Sequence, residues 1–155
     1  SKKYLPRFLE SVKRQDYRNT QLYALDNNTN MDNEDANYIR AHYPEIKIQR
    51  ADANTGFAKG HNYLIRQAAQ DKADFYVAFN CDLELENNVI SETVGALLKD
   101  PKAGAATCKL KKWNFALADA DGKTNFIDSA GLMISREHRF TNRGEGEIDH
   151  GQYDK

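Results

Sequence analysis

The sequence predicts an α/β fold, a mostly parallel sheet flanked by helices, on three observations. Apolar residues at helical spacing alternate along the chain with short apolar or β-branched runs. The links between them are short, the pattern of parallel strands joined by crossover helices. The run Phe75-Tyr76-Val77-Ala78-Phe79 stops abruptly at Asn80-Cys81-Asp82. A buried strand reads this way when it delivers polar residues to the carboxyl edge of an open sheet, where such sheets bind ligands.

In chain order, Leu5, Phe8, Leu9 and Val12 recur at helical spacing, and Pro6 is tolerable in a first helical turn. Gln21–Leu25 reads as a strand ended by Asp26-Asn27-Asn28-Thr29-Asn30, a cluster of turn and cap formers. The spacing predicts a helix over Asp32–Tyr43, with Ala36, Ile39 and Tyr43 on one face and Pro44 closing it. Ile46–Arg50 is a second short strand. Asn54-Thr55-Gly56-Phe57 is a turn, from which Phe57, Leu64, Ile65 and Ala68 continue as a helix. The Phe75–Phe79 strand comes next. Val89, Ile90, Val94, Leu97 and Leu98 form an amphipathic helix stopped by Asp100-Pro101, and Gly104–Cys108 reads as a strand.

From about Lys109 the pattern degrades, with Trp113, Phe115, Phe126 and Ile127 scattered among Asp, Asn and Gly. Arg139–Lys155 is polar and Gly-rich, so a loop or poorly ordered tail is expected there. The expected division is an α/β core over 1–108 and a partly looped, incomplete region over 109–155. The first helix is of the kind that comes after a first strand. The expectation is therefore a fragment lacking that strand, or a sheet completed by partner chains or by compensating elements.

With 22 Lys and Arg against 23 Asp and Glu, the 155 residues carry a formal net charge of −1, which argues against bulk nucleic-acid binding. No apolar run approaches the roughly 18 residues of a membrane span. Two cysteines, Cys81 and Cys108, form no metal-type pair. They point to a reducing, cytoplasmic compartment. Lys2, Lys3, Arg7, Lys13, Arg14 and Arg18 outnumber Glu10 and Asp16 near the start. That stretch is either a solvated helix face or a weak lean towards an anionic membrane surface, which would allow peripheral association.

Three polar clusters fall at the ends of three predicted strands: Asp26-Asn27, Asn54 to Asn62, and Asn80-Cys81-Asp82. In a parallel sheet these ends share one edge. Each has a plain alternative. Asp26 and its neighbours can cap a helix, and Asn54 to Phe57 can be a tight turn with Gly56 at positive φ. His61 can be a helix-surface histidine, and Asp82 can cap the segment entering the Val89 helix. Taken together they suit a nucleotide diphosphate. A pyrimidine N–H wants an acceptor such as Asp26 or Asn27. Gly56, Ala58 and Gly60 allow close approach, and Asp82 can hold Mg²⁺ or Mn²⁺ against a departing diphosphate. Neither GxGxxG nor GxxxxGK[ST] is present. Phosphate charge would then be met by metal, which favours a metal-dependent transferase over a dehydrogenase or P-loop NTPase.

These residues also carry a resemblance. Tyr4-Leu-Pro-Arg-Phe-Leu-Glu-Ser-Val-Lys-Arg-Gln15-Asp-Tyr17 resembles the first helix of family 2 glycosyltransferases. Leu25-Asp26-Asn27-Asn28-Thr29 resembles their "vDN.S" turn, and Asn54-Thr-Gly56-Phe57-Ala58-Lys-Gly60-His61-Asn62 their "N.GFa.G.N" segment. Phe79-Asn80-Cys81-Asp82 is similar to "lNpD", a version of the DxD motif, with Cys81 in place of the usual proline. Ile127-Asp128-Ser-Ala-Gly131 and Arg143 to Tyr153 resemble downstream segments of rhamnosyltransferase-type members.

The resemblance implies a GT-A fold, a nucleotide-sugar donor, a divalent metal (Mg²⁺ or Mn²⁺) and transfer with inversion to a glycan or lipid-linked acceptor in cell-envelope polysaccharide synthesis. By matching position, Asp26 and Asn27 would sit at nucleobase and ribose. Asn54, Gly56, Phe57, Gly60 and Asn62 would border the nucleotide. Asn80 and Asp82 would meet the diphosphate, with Asp82 on the metal. The family's first strand would lie before Ser1, and its acceptor half, with the catalytic base, beyond Lys155. Glu145, Glu147 and Asp149 are alternatives for that base, weighed against a solvated loop. Two other readings compete: a catalytically inactive α/β binding module, and a nucleotidyltransferase. The latter would ordinarily carry a basic Gly-rich triphosphate loop.

Overall fold

The computed structural model describes residues 3–28, 30, 32–114, 116–117 and 122–154. Lys2 of the basic stretch, Thr29 of the first turn, Phe115 and Lys155 lie outside the described residues. The chain forms two compact units, Ser1–Glu92 and Thr93–Lys155.

The first unit opens with α1 (Leu5–Lys13), which starts on Pro6 in its first turn and buries Leu5, Leu9, Ser11 and Val12. β1 (Tyr23–Asp26) pairs in parallel with β2 (Lys47–Arg50), Asp26 standing opposite Arg50. Between them runs α2 (Glu34–His42), capped by the Asn33 side chain on the Asp35 amide. Glu34 and Asp35 in its first turn and Arg40 and His42 in its last complement the helix dipole. Leu5, Leu9, Ile39, Tyr43 and Ile46 form the core, with Phe8, Ala24, Ile48 and Cys81 packed against it. The Tyr43 hydroxyl donates to Glu10 at 2.7 Å, tying the end of α2 to α1. Burial, reinforced by that carboxylate, pushes the Tyr43 hydroxyl well above its ordinary pKa.

α3 (Gly56–Gln70) buries Gly60, Leu64 and Ala68, a strict i, i+4, i+8 stripe. A Cβ on Gly60 would lie 3.3 Å from Leu25 Cδ2, so the glycine is what lets α3 lie close on β1. Phe57 and Ile65, which help to mark this helix in the sequence, are exposed. The stripe through Gly60 is the one that meets β1, and those two side chains fall off it.

The predicted strand Phe75–Phe79 is not a strand. Residues 75–80 run without ladder hydrogen bonds among the described residues, and Phe75 and Val77 are exposed. An apolar run becomes a strand only when a neighbouring backbone satisfies its N–H and C=O groups. Among the described residues the only pairing of β1 is with β2, and nothing pairs with 75–80. The run is held by side chains instead: Phe79 meets Phe8 edge-on with ring centroids 6.0 Å apart, and Tyr76 hydrogen-bonds His61 at 2.9 Å.

Beyond it, residues 84–91 are laced to α1 and the turn after it. The Leu85 amide donates to Ser11 Oγ at 3.1 Å. Gln15 donates from Nε2 to the Glu86 carbonyl at 2.7 Å and accepts at Oε1 from the Ile90 amide at 3.1 Å. The Asp16 amide donates to the Asn87 carbonyl at 2.9 Å, and Ser91 Oγ to the Asp16 carboxylate at 2.9 Å. Gln15 thereby satisfies one of the orphan amides at the start of α4 (Val89–Lys99).

The second unit contains β3 (Leu110–Trp113) paired antiparallel with a bulged β4 (Lys123–Ser129), and a hairpin of β5 (Leu132–Ile134) and β6 (Phe140–Asn142). The predicted strand Gly104–Cys108 is unpaired and mostly exposed, for the same want of a partner backbone. The tail expected to be loop or poorly ordered is mostly turn and loop, but it is built into the unit. It supplies β6 and a bridge from Ile148 to Phe126, and its Glu147 carbonyl accepts from the amide of Ile127, which is fully buried. Gly144, at φ +72°, lets the chain turn against the Tyr153 ring.

Asp149 is the electrostatic anchor of that tail. Its carboxylate takes Lys109 and Lys111, each at 2.8 Å, and the Gly151 amide at 3.1 Å. The Lys109 ammonium first, then Lys111 and that amide, hold its carboxyl far below the ordinary carboxylate range. A carboxyl depressed on folding stabilises at pH above its unfolded value, and this contribution is lost as pH falls from there towards the folded value. Acidification through and below the ordinary carboxylate range is therefore expected to loosen the second unit. Trp113, the single tryptophan, reports on it by fluorescence. Asp149→Asn should lower stability near neutrality and flatten the acid limb. Superimposable acid titrations for variant and parent would contradict this.

Candidate functional site

β1 and β2 run in parallel and in register, so Asp26-Asn27 and the chain leaving Arg50 emerge from one edge. Two of the three polar clusters meet there through Asn27. Its Oδ1 accepts from the Thr55 amide at 2.8 Å and Thr55 Oγ1 at 3.1 Å, and its Nδ2 donates to the Gly56 carbonyl at 3.3 Å. Asn54 Oδ1 accepts from the Gly56 amide at 2.9 Å, an Asx turn into α3. Gly56 adopts φ +72° with open space around its Cα, so any side chain there would be strained.

Asp26 is a hub inside the protein. Its side chain is fully buried, Oδ1 accepting from Asn33 Nδ2 at 2.6 Å and the Asn28 amide at 3.2 Å, Oδ2 pairing with Arg50 at 3.3 Å. Arg50 in turn donates to the carbonyls of Asn28 at 3.2 Å and Asn30 at 2.9 Å. Both Asp26 oxygens are thus spent on shaping the turn after β1. The sequence suggests a carboxylate offered to a ligand. The register that puts Arg50 opposite it is not readable locally.

Phe57 stands exposed at the start of α3, its ring 4.4 Å from that of His61. Asn62, Asn80 and Asp82 are exposed and make no side-chain hydrogen bond or ion pair among the described residues. The Asn80–Asp82 segment leaves the unpaired run rather than a sheet strand, but it is braced on both sides. Cys81 packs on the core of the first unit. Glu84, two residues beyond Asp82, pairs with Arg7 at 3.6 Å and Arg14 at 3.4 Å, and Leu85 hangs from Ser11. Asp82 is therefore an exposed carboxylate with no partner among the described residues, set between residues that pack and pair with the first unit.

No group of three or more His, Cys, Asp or Glu side chains capable of caging a metal occurs among the described residues. Asp82 is an exposed hard-oxygen donor that would suit Mg²⁺ or Mn²⁺ alongside oxygens from a diphosphate and water.

Of the positions nominated by sequence, Asn27, Asn54, Gly56 and Gly60 form one contact cluster. Asp26 supports it from beneath, and Asn80 and Asp82 stand on the braced loop. Sequence reasoning missed Ser11, Gln15, Arg50 and Thr55. The signal for Ser11 was present: it lies between Leu9 and Val12 on the buried side of α1, where a polar side chain requires a partner, whereas Gln15 lies past the helix end. Arg50 and Thr55 gave no comparable local signal.

A search of curated proteins finds no match. The family model described as Glycosyl transferase family 2 matches residues 1–125. The match takes in α1, both parallel strands, the Asn27–Gly56 clamp and the Asp82 loop, and by it the chain belongs to glycosyl transferase family 2, glycosyltransferases of the GT-A α/β fold that use nucleotide-sugar donors.

Proposed function

We propose that the chain binds a nucleotide-diphosphate sugar at the carboxyl edge of β1 and β2, with a divalent cation held at Asp82. The sugar passes with inversion to a glycan or lipid-linked acceptor, a hexosyl or rhamnosyl transfer in cell-envelope polysaccharide synthesis at the inner face of a membrane. What supports the donor site most is the contrast between carboxylates. Asp26 is consumed internally, whereas Asp82 is exposed and unpartnered among the described residues.

In this reading Asp26 and Asn27 define the nucleobase and ribose side by holding the Asn28–Asn30 turn and the entry to α3. Asn54, Gly56, Phe57, Gly60 and Asn62 border the nucleotide: Gly56 and Gly60 keep the backbone bare, and Phe57 offers an exposed ring. Asn80 and Asp82 face the diphosphate. The bound Mg²⁺ or Mn²⁺ would supply charge to a leaving diphosphate. Inversion requires a base for the acceptor hydroxyl. Asp149 is too weak a base near neutrality, held down by two lysines. Glu147 accepts from Tyr153 and Gln152. The base is assigned to neither.

Thermal denaturation of the chain with UDP, GDP or dTDP, each with and without MnCl₂, tests the reading. At a ligand concentration about 100-fold above Kd the stabilisation is about 2.7 kcal/mol. In a domain of this size that corresponds to a rise in Tm of about 5–10 °C. The expected result is a rise for one nucleotide only when Mn²⁺ is present. No rise with any of them would overturn the donor site, and an equal rise without metal would overturn the role of Asp82.

A further inference from the structure

We propose that the β5–β6 hairpin of the second unit is a membrane-docking finger that seats on an anionic lipid surface. Its register places Ile134 directly opposite Phe140 and Leu132 opposite Asn142. Cross-strand partners and residues two apart share a face, so Leu132, Ile134 and Phe140 form one apolar cluster. They are 71%, 63% and 66% exposed, which for three adjacent large apolar side chains is a patch in search of an apolar medium. Met133, on the opposite face, is also exposed.

The charge pattern selects the medium. The turn carries Arg136 and Arg139 against Glu137, a local positive excess on a chain of net charge −1, while at the base Arg143 is offset by Glu145, which accepts from Asn142 at 3.4 Å. Among the described residues neither Arg136 nor Arg139 pairs with a carboxylate. Arg143 lies over the Tyr153 ring at 4.9 Å. A protein partner would require matching carboxylates placed around a matching pocket, whereas an anionic bilayer offers both terms anywhere on its surface. Its headgroups meet the guanidinium groups and its acyl boundary takes the apolar cluster. The reach also fits. Three residues of strand span about 10 Å, the depth to which interfacial elements bury their apolar face, about 5–10 Å. The base of the hairpin is fastened by paired backbone bonds, Ala130 amide to Arg143 carbonyl and Arg143 amide to Gly131 carbonyl, each 2.8 Å. No described helix is long and apolar enough to cross a membrane, so such a finger acts at the surface.

The inference stands on the second unit alone and does not depend on the donor site, so its failure leaves the nucleotide experiment untouched. The test is co-sedimentation of the chain with phosphatidylglycerol/phosphatidylcholine vesicles and with pure phosphatidylcholine vesicles. Expected is binding to the anionic vesicles that weakens with added salt. Two variants should each reduce partitioning about tenfold or more: Leu132→Ser with Ile134→Ser and Phe140→Ser, and Arg136→Ala with Arg139→Ala. The second leaves the apolar face intact and guards against misfolding of the first, and circular dichroism checks both. Binding retained by both variants overturns the proposal, since the basic first helix would then be the contact. So does absence of binding, or a dimer in light scattering that the triple serine variant dissolves.

Discussion

In a full-length enzyme that carries the acceptor half, replacing Asp82 by alanine is expected to lower sugar transfer by about 10²–10³-fold while leaving the melting temperature of the free protein unchanged. Both halves of the expectation come from the same observation. Asp82 is exposed and makes no hydrogen bond or ion pair among the described residues, so its removal leaves no buried group without a partner. If it carries the cation, its removal withdraws several kcal/mol of charge stabilisation from the departing diphosphate, and each 1.36 kcal/mol is about a factor of ten in rate. Asp82→Asn keeps the shape and removes the charge, and should resemble the alanine variant. The measurements are turnover with Mn²⁺ and the Mn²⁺-dependent thermal shift with the matching nucleoside diphosphate, both of which should disappear. Transfer at the parent rate by Asp82→Ala would remove the metal from this residue.

The second large effect is on stability. Gln15→Ala is expected to cost roughly 1–3 kcal/mol, because it removes two hydrogen bonds, the buried one from the Ile90 amide and the one to the Glu86 carbonyl, each worth about 0.5–1.5 kcal/mol. Gln15 is itself almost fully buried, so water does not readily replace its amide. The melting temperature should drop by about 2–12 °C. Gln15→Glu retains an acceptor for Ile90 but loses the donor to Glu86, and should fall short of the parent for that reason. The same bonds brace the segment after Asp82, so weaker nucleotide binding should accompany the loss of stability in both variants. An unfolding midpoint unchanged in Gln15→Ala would show that residues 84–91 are held by packing alone.

Much of the first unit is legible in the sequence because its signals are local. The spacing of Leu5, Leu9 and Val12 marks α1, Asn33 with Glu34 and Asp35 marks the start of α2, and Asn54-Thr55-Gly56 marks the entry to α3. Each depends on residues within a turn or two of one another. The strands are less legible. Tyr23–Asp26 and Lys47–Arg50 succeed because each has the other. Phe75–Phe79 has the stronger strand composition and forms none, since no composition supplies a partner backbone. The tail misleads in the opposite sense. Its glycines and charges read as loop, yet Asp149 finds Lys109 and Lys111, some forty residues earlier in the chain, and Ile148 bridges to Phe126.

By itself the sequence determined the helices, the family, and the identity of the polar residues from which a donor site is to be built. These come from hydrophobic period, capping chemistry and motif order, all written along the chain. Only the tertiary structure decided which of those polar residues remain available. Asp26 is neutralised by Arg50 across the parallel pair, and Asn27 is committed to Thr55 and Gly56. Of the carboxylates nominated for the donor site, Asp82 alone faces outward without a partner among the described residues. A carboxylate's freedom to bind is set by what stands within about 3 Å of its oxygens, and in this protein those neighbours come from distant parts of the chain.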